Sequence, residues 1–444
     1  MADKSGLGTL VTEEHELGTS ALDLFSDPPM EGAQLAAKEQ TVYLTTPLNN
    51  HGPYEFIVPN DSTDFIQLDQ TELYGQVSVT KADGTALDVE QYTSVVNNFP
   101  QSLFKQVELY LNGTCVTDLS TPMYAYKAYL ENHLSYGNDI KETTLYTREL
   151  YLKDTAGDEG DGQAELSIKD KLTTTGIGKR LSVLTKPFSF NMKLHVDFLG
   201  SVRYLIPGVE MKFKLLRNSD TFSLIAKAAG CKIEIKKLEL KIRRIVVDPK
   251  VGAALEAGLD KSPAKYPIAL SKLNMFQINS TTQSLQIPNV IRGKLPRSLL
   301  FGFVRADAYD GLVTRNPFVF QHFTLNYLNV YINGDPLHPI PIQPDWDDNN
   351  CVNEYVRFLN NIGMHQTHTN GLTLKDYKEN TCLFAYDLSP DLCNSFYRHP
   401  TEHGIFDISL SFKTALTTNV KLITYATYDE TVLIDKNRNV SFAT

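Results

Sequence analysis

From Tyr54 onward the chain alternates apolar and polar positions in short runs broken by turn residues. Tyr54, Phe56 and Val58 share one side of a run that stops at Pro59-Asn60-Asp61. Runs over 65–68 and 73–79 follow, closed by Asp83-Gly84. Val107, Leu109 and Leu111 alternate with Glu108, Tyr110 and Asn112, and this run ends in Asn112-Gly113. Period-two alternation predicts half-buried strands, and Asp-Gly or Asn-Gly at the end of a run predicts a tight hairpin. Between Cys231 and Val247 the apolar side changes twice, from Ile233 and Ile235 to Leu238, Leu240 and Ile242, then to Ile245 and Val247. The changes fall at Lys236-Lys237 and Arg243-Arg244. One extra residue at each point, a β-bulge, would keep a single face buried.

Helical spacing occurs at two places. Met123, Tyr126, Tyr129, Leu130, His133 and Leu134 form one stripe that stops at Gly137. Val352, Tyr355, Val356 and Leu359 form another that stops at Gly363. Each glycine suits the left-handed position that ends a helix.

These two helices expose a duplication. Asn112-Gly113 and Asn333-Gly334 end similar strands 221 residues apart. Tyr129, Leu130 and Gly137 correspond to Tyr355, Val356 and Gly363 at an offset of 226. Residues 208–215 correspond to 404–411 at 196, and 246–248 to 433–435 at 187. The shrinking offset places an insertion in the first copy near 138–180, a stretch rich in Asp, Gly and Thr. The expected organisation is an N-terminal arm (1–45), a first β sandwich (46–250), a linker (251–270) and a second sandwich (271–444). The fold class is all-β with short helices. Pro28-Pro29 follows the one apolar patch of the arm, Leu22, Leu24 and Phe25. Such a patch is expected to order against a neighbouring subunit.

Composition narrows the function. The net charge is −10, which argues against strong direct nucleic-acid binding. No run of about 18 apolar residues is present to span a membrane, and the N-terminus has no apolar signal-peptide core. Five cysteines without a CxxC pair fit a reduced chain made inside a cell.

The stretches LDLFSDPP (22–29), YEFIVPNDSTDFIQLDQTELYGQVSV (54–79), SLFKQVELYLNG (102–113) and YAYKAYLENHLSYG (124–137) carry a resemblance. So do NPFVFQHFTLNYLNVYINGDPLHP (316–339), CLFAYDLSPD (382–391) and VLIDKNRNV (432–440). The sequence resembles the major capsid, hexon-like proteins of Polinton/Maverick elements and adintovirus-like DNA viruses. The resemblance implies a double jelly roll, two eight-stranded antiparallel sandwiches in tandem. It also implies a homotrimer with a pseudo-sixfold outline that tiles an icosahedral virion shell around double-stranded DNA, usually with a separate penton protein. The modest length, against relatives with longer loops, puts large outer towers in doubt.

Enzyme chemistry finds little footing. Gly176-Ile177-Gly178-Lys179 has the outline of a phosphate loop. Thr173 and Arg180 stand where that loop needs glycine and Ser or Thr. His365/His368 and His399/His403 have spacings that suit metal ligands on a helix, but Pro400 and Asn370-Gly371 mark both as loops. Asp154, Asp158, Glu159 and Asp161 read as a solvated acidic loop rather than a calcium site. Trp346, in Asp345-Trp346-Asp347-Asp348, reads either as an amphipathic anchor on its sandwich or as a subunit contact. No catalytic, cofactor or metal residue is expected. The candidate subunit contacts are Leu22, Leu24, Phe25 and Trp346. The competing class is a soluble two-barrel carbohydrate-binding or cupin-like protein.

Overall fold

The computed structural model describes residues 32–60, 63–87, 93–154, 176–184, 186–226, 230–346, 350–364, 370–390, 400 and 402–443. The first half contains β1 (Gln34–Val42), β2 (Tyr54–Val58), β3 (Phe65–Lys81), β4 (Thr93–Val95) and β5 (Phe104–Leu111). It continues with β6 (Thr114–Cys115), β7 (Phe188–Lys193), β8 (Met211–Arg217), β9 (Leu224–Ala226) and β10 (Cys231–Val247). The second half contains β11 (Ala264–Ile278), β12 (Ser284–Lys294), β13 (Ser298–Arg305), β14 (Leu325–Ile332) and β15 (Asp335–Pro336). It ends with β16 (Leu383–Asp387), β17 (His403–Phe412), β18 (Val420–Ile434) and β19 (Val440–Phe442).

Four sheets carry the architecture. In the first half the orders are β1-β10-β3-β7 and β2-β8-β5-β6. In the second they are β11-β18-β13-β16 and β12-β17-β14-β15, with β19 added beside β18. The small pair β4-β9 stands apart. Strand for strand the second half repeats the first, and the pairings are antiparallel. These are the two tandem sandwiches expected from the repeat, in the jelly-roll form that the resemblance implies.

The turns repeat as well. Asn112 and Gly113 have φ +45° and +83°, and Asn333 and Gly334 have +54° and +90°. Two successive positive φ values define the tight hairpin that Asn-Gly favours. Each asparagine also reaches sideways. Asn112 Oδ1 accepts from Glu210 N at 2.8 Å, and Asn333 Oδ1 accepts from Ile405 N at 2.9 Å. One sequence correspondence shifts by a residue: Leu111 faces Met211 while its counterpart Ile332 faces Phe406. The structural offset there is 195, not 196. At an offset of 196 buried Met211 would correspond to outward-facing Asp407, on the wrong side of the strand.

The bulge expected at Lys236 is present, since Ile235 and Lys237 pair with the adjacent residues Val77 and Gln76. The second irregularity lies between Lys241 and Arg243, and the extra residues sit on β3, between Gln67 and Glu72. Arg244 and Ile245 are then both buried. Gly363 takes the predicted left-handed conformation, φ +75°. Gly137 does not: its φ is −72°, and it leads into the next short helix, Asn138–Ile140. The expected linker is mostly ordered structure. Asp248 caps a helix, Pro249–Leu259, by accepting from Lys250 N at 2.7 Å. Its alanines favour that state, and β11 already begins at Ala264. The expected arm, 1–45, contains β1, which occupies 34–42 as the edge of its sheet.

Two hydrophobic cores form, and each borrows from the other half. Tyr266, Ile268, Leu270, Val432 and Ile434 join the first-half core. Met123, Tyr126, Tyr129, Leu130, Tyr151 and Phe222 join the second.

Inside each sandwich a glycine admits a neighbour across the sheet. A Cβ on Gly75 would lie 2.3 Å from Phe190 Cζ, and one on Gly302 would lie 2.6 Å from a Leu383 methyl. Gly75→Ala is therefore expected to cost about 1–3 kcal/mol through overpacking. Denaturant unfolding measures this, and an unchanged midpoint would mean that the Phe190 ring moves aside freely.

Candidate assembly site at the seam between the halves

The helix Tyr124–Ser135 follows β6, just as the helix Val352–Asn361 follows β15. Residues Tyr124 through Leu130 are all buried, so the first helix has no solvent face over its first two turns. One side rests on its own sandwich. The other is covered by the second half.

Aromatic rings make that contact. Tyr129 lies flat on Phe318, with centroids 4.5 Å apart and planes 8° from parallel. Tyr126 meets Phe318 edge-on at 5.4 Å and stacks on Tyr309 at 5.5 Å. Its hydroxyl donates to the Pro317 carbonyl at 3.0 Å. Each such ring pair contributes about 0.5–1.5 kcal/mol beyond its buried area.

A buried charged cluster runs beside the rings. Lys127 Nζ donates to Asp197 Oδ1 at 2.5 Å and lies 3.8 Å from Glu131. Glu131 pairs with His195 at 2.6 Å and accepts from the Tyr425 hydroxyl at 2.9 Å. Asp197 accepts from Ser271 N at 2.9 Å. Tyr425 and Ser271 belong to β18 and β11, so the cluster bridges the halves. Burial works against the charge on Lys127, but Asp197 and Glu131 outweigh it and raise its pKa above the usual lysine value. Burial likewise opposes the charge on Glu131, yet Lys127 and His195 hold its carboxyl below the usual range. For Asp197, burial prevails and its pKa rises. A cavity of about 40 Å³ beside Lys127, His195, Asp197 and Ser271 has room for ordered water rather than a ligand.

The first-half insertion forms a third bridge. Asp154 accepts from buried Arg180 at 2.7 Å and from Asn316 at 3.0 Å. Lys153 pairs with Asp376 at 2.5 Å and donates to the Gly371 carbonyl. Lys141 donates to the carbonyls of His133 and Asn370 at 2.6 and 2.7 Å, and burial pulls its pKa down to about 7. His133 lies between Tyr151 and Thr381. Burial pushes it well below its usual value, so the imidazole is neutral. At the chain's end Arg438 donates to the Pro207 carbonyl at 2.7 Å, and its own carbonyl accepts from Asn112 at 2.9 Å.

No protein-family model matches the sequence. An uncharacterized protein of Caenorhabditis elegans is 23% identical over 413 residues, spanning 90% of this chain and 95% of that protein. Among solved structures, a chain of the Sputnik virophage superposes with a TM-score of 0.63 at 12% identity, covering 95% of this chain and 91% of its own. The Faustovirus major capsid protein gives 0.59 at 10% identity, with 96% and 94% covered. The mavirus major capsid protein gives 0.55 at 9% identity, with 98% and 96% covered. The fold is that of the double-jelly-roll major capsid proteins.

The sequence-derived candidates fall variously within this double jelly roll. Leu22, Leu24 and Phe25 lie outside the described residues, as do His365, His368, His399, Cys393 and the acidic positions 158, 159 and 161. Trp346 is buried within its own chain. Its Nε1 donates to the Leu325 carbonyl at 2.6 Å, and its ring stacks on His322 at 4.4 Å. That is the arrangement of an amphipathic anchor. Asp154 is not part of a solvated loop, because Arg180 draws it into the seam. Gly176-Ile177-Gly178-Lys179 opens the helix Gly176–Leu184, which delivers Arg180 to that pair. Among the described residues no group of three or more His, Cys, Asp or Glu side chains could hold a metal ion. No helix among them is long and apolar enough to cross a membrane.

The charged cluster escaped sequence reasoning because its members are scattered from 127 to 425. The local signal was Lys127 and Glu131, one turn apart on a helix whose first two turns are buried. Lys127→Met would leave Asp197 buried without its cation and Glu131 with His195 alone, at an expected cost of about 3–5 kcal/mol. Thermal and denaturant unfolding measure it. A loss below about 1 kcal/mol, the range of exposed pairs, would mean that the cluster is solvated.

Proposed function

We propose that this chain is a viral major capsid protein that trimerises into pseudo-hexameric capsomers and builds an icosahedral shell around a double-stranded DNA genome. Its place is the virion, and its work is structural rather than enzymatic. The observation that carries this reading is the tandem repeat of one eight-stranded jelly roll, locked by a buried seam. Three such chains offer six similar sandwiches, so a threefold ring acquires a nearly sixfold outline. The likeness to the mavirus and Faustovirus major capsid proteins supports it. The Polinton/Maverick and adintovirus-like resemblance supplies the proposed lineage. A net charge of −10 suits a shell that leaves genome packaging to other proteins. A separate penton protein at the vertices completes the proposed set of partners.

Light scattering on the purified full-length chain tests the reading. A stable species near three times 49.8 kDa is expected. A particle that stays at the single-chain mass at every concentration would overturn it.

The N-terminal arm, with Leu22, Leu24 and Phe25, is proposed as a clamp between capsomers. Removal of residues 1–31 stops short of β1 and is expected to leave the melting temperature unchanged. Shell yield by electron microscopy should fall. Undiminished shells would remove the clamp from the account.

A further inference from the structure

One end of the molecule is apolar, basic and uncovered. The helix Pro249–Leu259 buries none of its residues, and Ala253, Ala254, Leu255 and Ala257 are exposed on it. Leu255 is 49% exposed. The segments beside the helix add Leu35, 57% exposed, and Val202, 90% exposed. Hydrogen bonds tie these pieces to one another. Arg438 donates to the Pro207 carbonyl and pairs with Glu256 on the helix. The Tyr204 hydroxyl donates to Gln34 at 3.2 Å, and Arg203 donates to the Lys265 carbonyl. Exposed apolar surface gathered in this way marks a place of interaction.

The N-terminal arm joins the body at this same end. Asp248, the cap of the helix, donates its N–H to the Ala33 carbonyl at 2.9 Å. The charges of arm and body are complementary. Residues 1–31 hold seven carboxylates and one lysine, so six of the chain's ten net negative charges lie there. Around the helix, Asp260 and Glu256 are taken by Lys436 and Arg438. Arg203, Lys250, Lys261 and Lys265 add further cations to the same end. Leu22, Leu24 and Phe25 supply apolar matter of the kind that Leu255, Leu35 and Val202 leave uncovered.

We infer that this end receives the arm of a second copy. Leu22, Leu24 and Phe25 pack on the helix Pro249–Leu259, and the carboxylates of the arm meet the cations around it. This names the surface that the proposed clamp grips, and it rests on that reading. Spacing favours a second copy over the arm's own chain. Phe25 lies eight residues before Ala33, a span of about 25 Å when extended. Pro28 and Pro29 fix φ, and Asp27 and Pro28, each preceding a proline, favour extended backbone. Leu255 lies seven residues beyond Asp248, about 10 Å along the helix. A stiff spacer of that length carries the apolar patch past its own helix. Because the root of the arm and the receiving helix adjoin, a chain that gives its arm across this end receives one across the same end. Two copies therefore exchange arms about a twofold axis.

A labelled peptide covering residues 15–31 tests the surface on full-length protein by fluorescence anisotropy. The peptide should bind, and added salt should weaken it by screening. Leu255→Glu should weaken it about tenfold, through the loss of one buried leucine. Lys250→Glu should weaken it too, although an acidic residue in the first turn suits the helix. Both variants should melt with the wild type; if Leu255→Glu melts early, Lys250→Glu alone decides. A peptide that does not bind, or that binds the variants as tightly as the wild type, would overturn the inference. A photoreactive benzophenone residue in place of Phe25 then locates the arm in assembled protein. Cross-links should join two chains and map to 249–259 or to the adjacent 201–208. Cross-links confined to single chains would remove the second copy from the account. Light scattering on the same protein separates this inference from the reading beneath it. Trimers that bind no peptide sink the receiving surface alone, and protein that stays single-chain sinks both.

Discussion

One buried helix holds the architecture together. The helix Tyr124–Ser135 packs into both sandwiches, with Tyr124 and Ala128 in the first core and Tyr126, Tyr129 and Leu130 in the second. Two tandem sandwiches joined by a single crossover would otherwise be free to hinge, since interfaces between domains are commonly small and polar. Here Tyr126 and Tyr129 are sunk among Tyr309, Phe318 and Phe320. Lys127 and Glu131 join a charged cluster that reaches β11 and β18. Separating the halves would expose these rings, take Ser271 from Asp197 and take Tyr425 from Glu131. The two halves are therefore held in one relative placement.

The chemistry of the seam divides the labour. The rings supply non-directional burial. The charged cluster adds direction, because each hydrogen bond is satisfied in one relative placement. Buried ion pairs are weak evidence for stability in themselves. Their value here lies in register: Asp197 meets the backbone of Ser271, and Asp154 meets both Arg180 and Asn316. The insertion in the first copy, absent from the second, delivers Lys141, Lys153 and Arg180 to this surface. It makes the two halves inequivalent at the point where they touch.

Much of the fold was legible along the chain. The hairpins at Asn112-Gly113 and Asn333-Gly334, the bulge at Lys236 and both helices stood where alternation and turn residues placed them. Local signals suffice when the physics is local: two positive φ values call for Asn-Gly, and a half-buried strand calls for period two. Misreadings arose where distant packing prevailed. Gly137 has an ordinary φ because the next helix begins at once. Asp154 sits in an acidic stretch, yet Arg180 captures it. The apparent linker folds as a helix because its alanines and the Asp248 cap outweigh its two glycines.

The sequence by itself determined the duplication, the strand-rich character of each copy and the turns that connect the strands. These follow from side-chain periodicity and backbone preference, which act over a few residues. Only the tertiary structure decided which face of each helix is covered. Tyr126 and Val352 correspond along the repeat, but one is dry and the other half exposed. No local pattern distinguishes them, because burial is a property of what arrives from elsewhere in the chain, and the second half covers the first helix while leaving its own exposed.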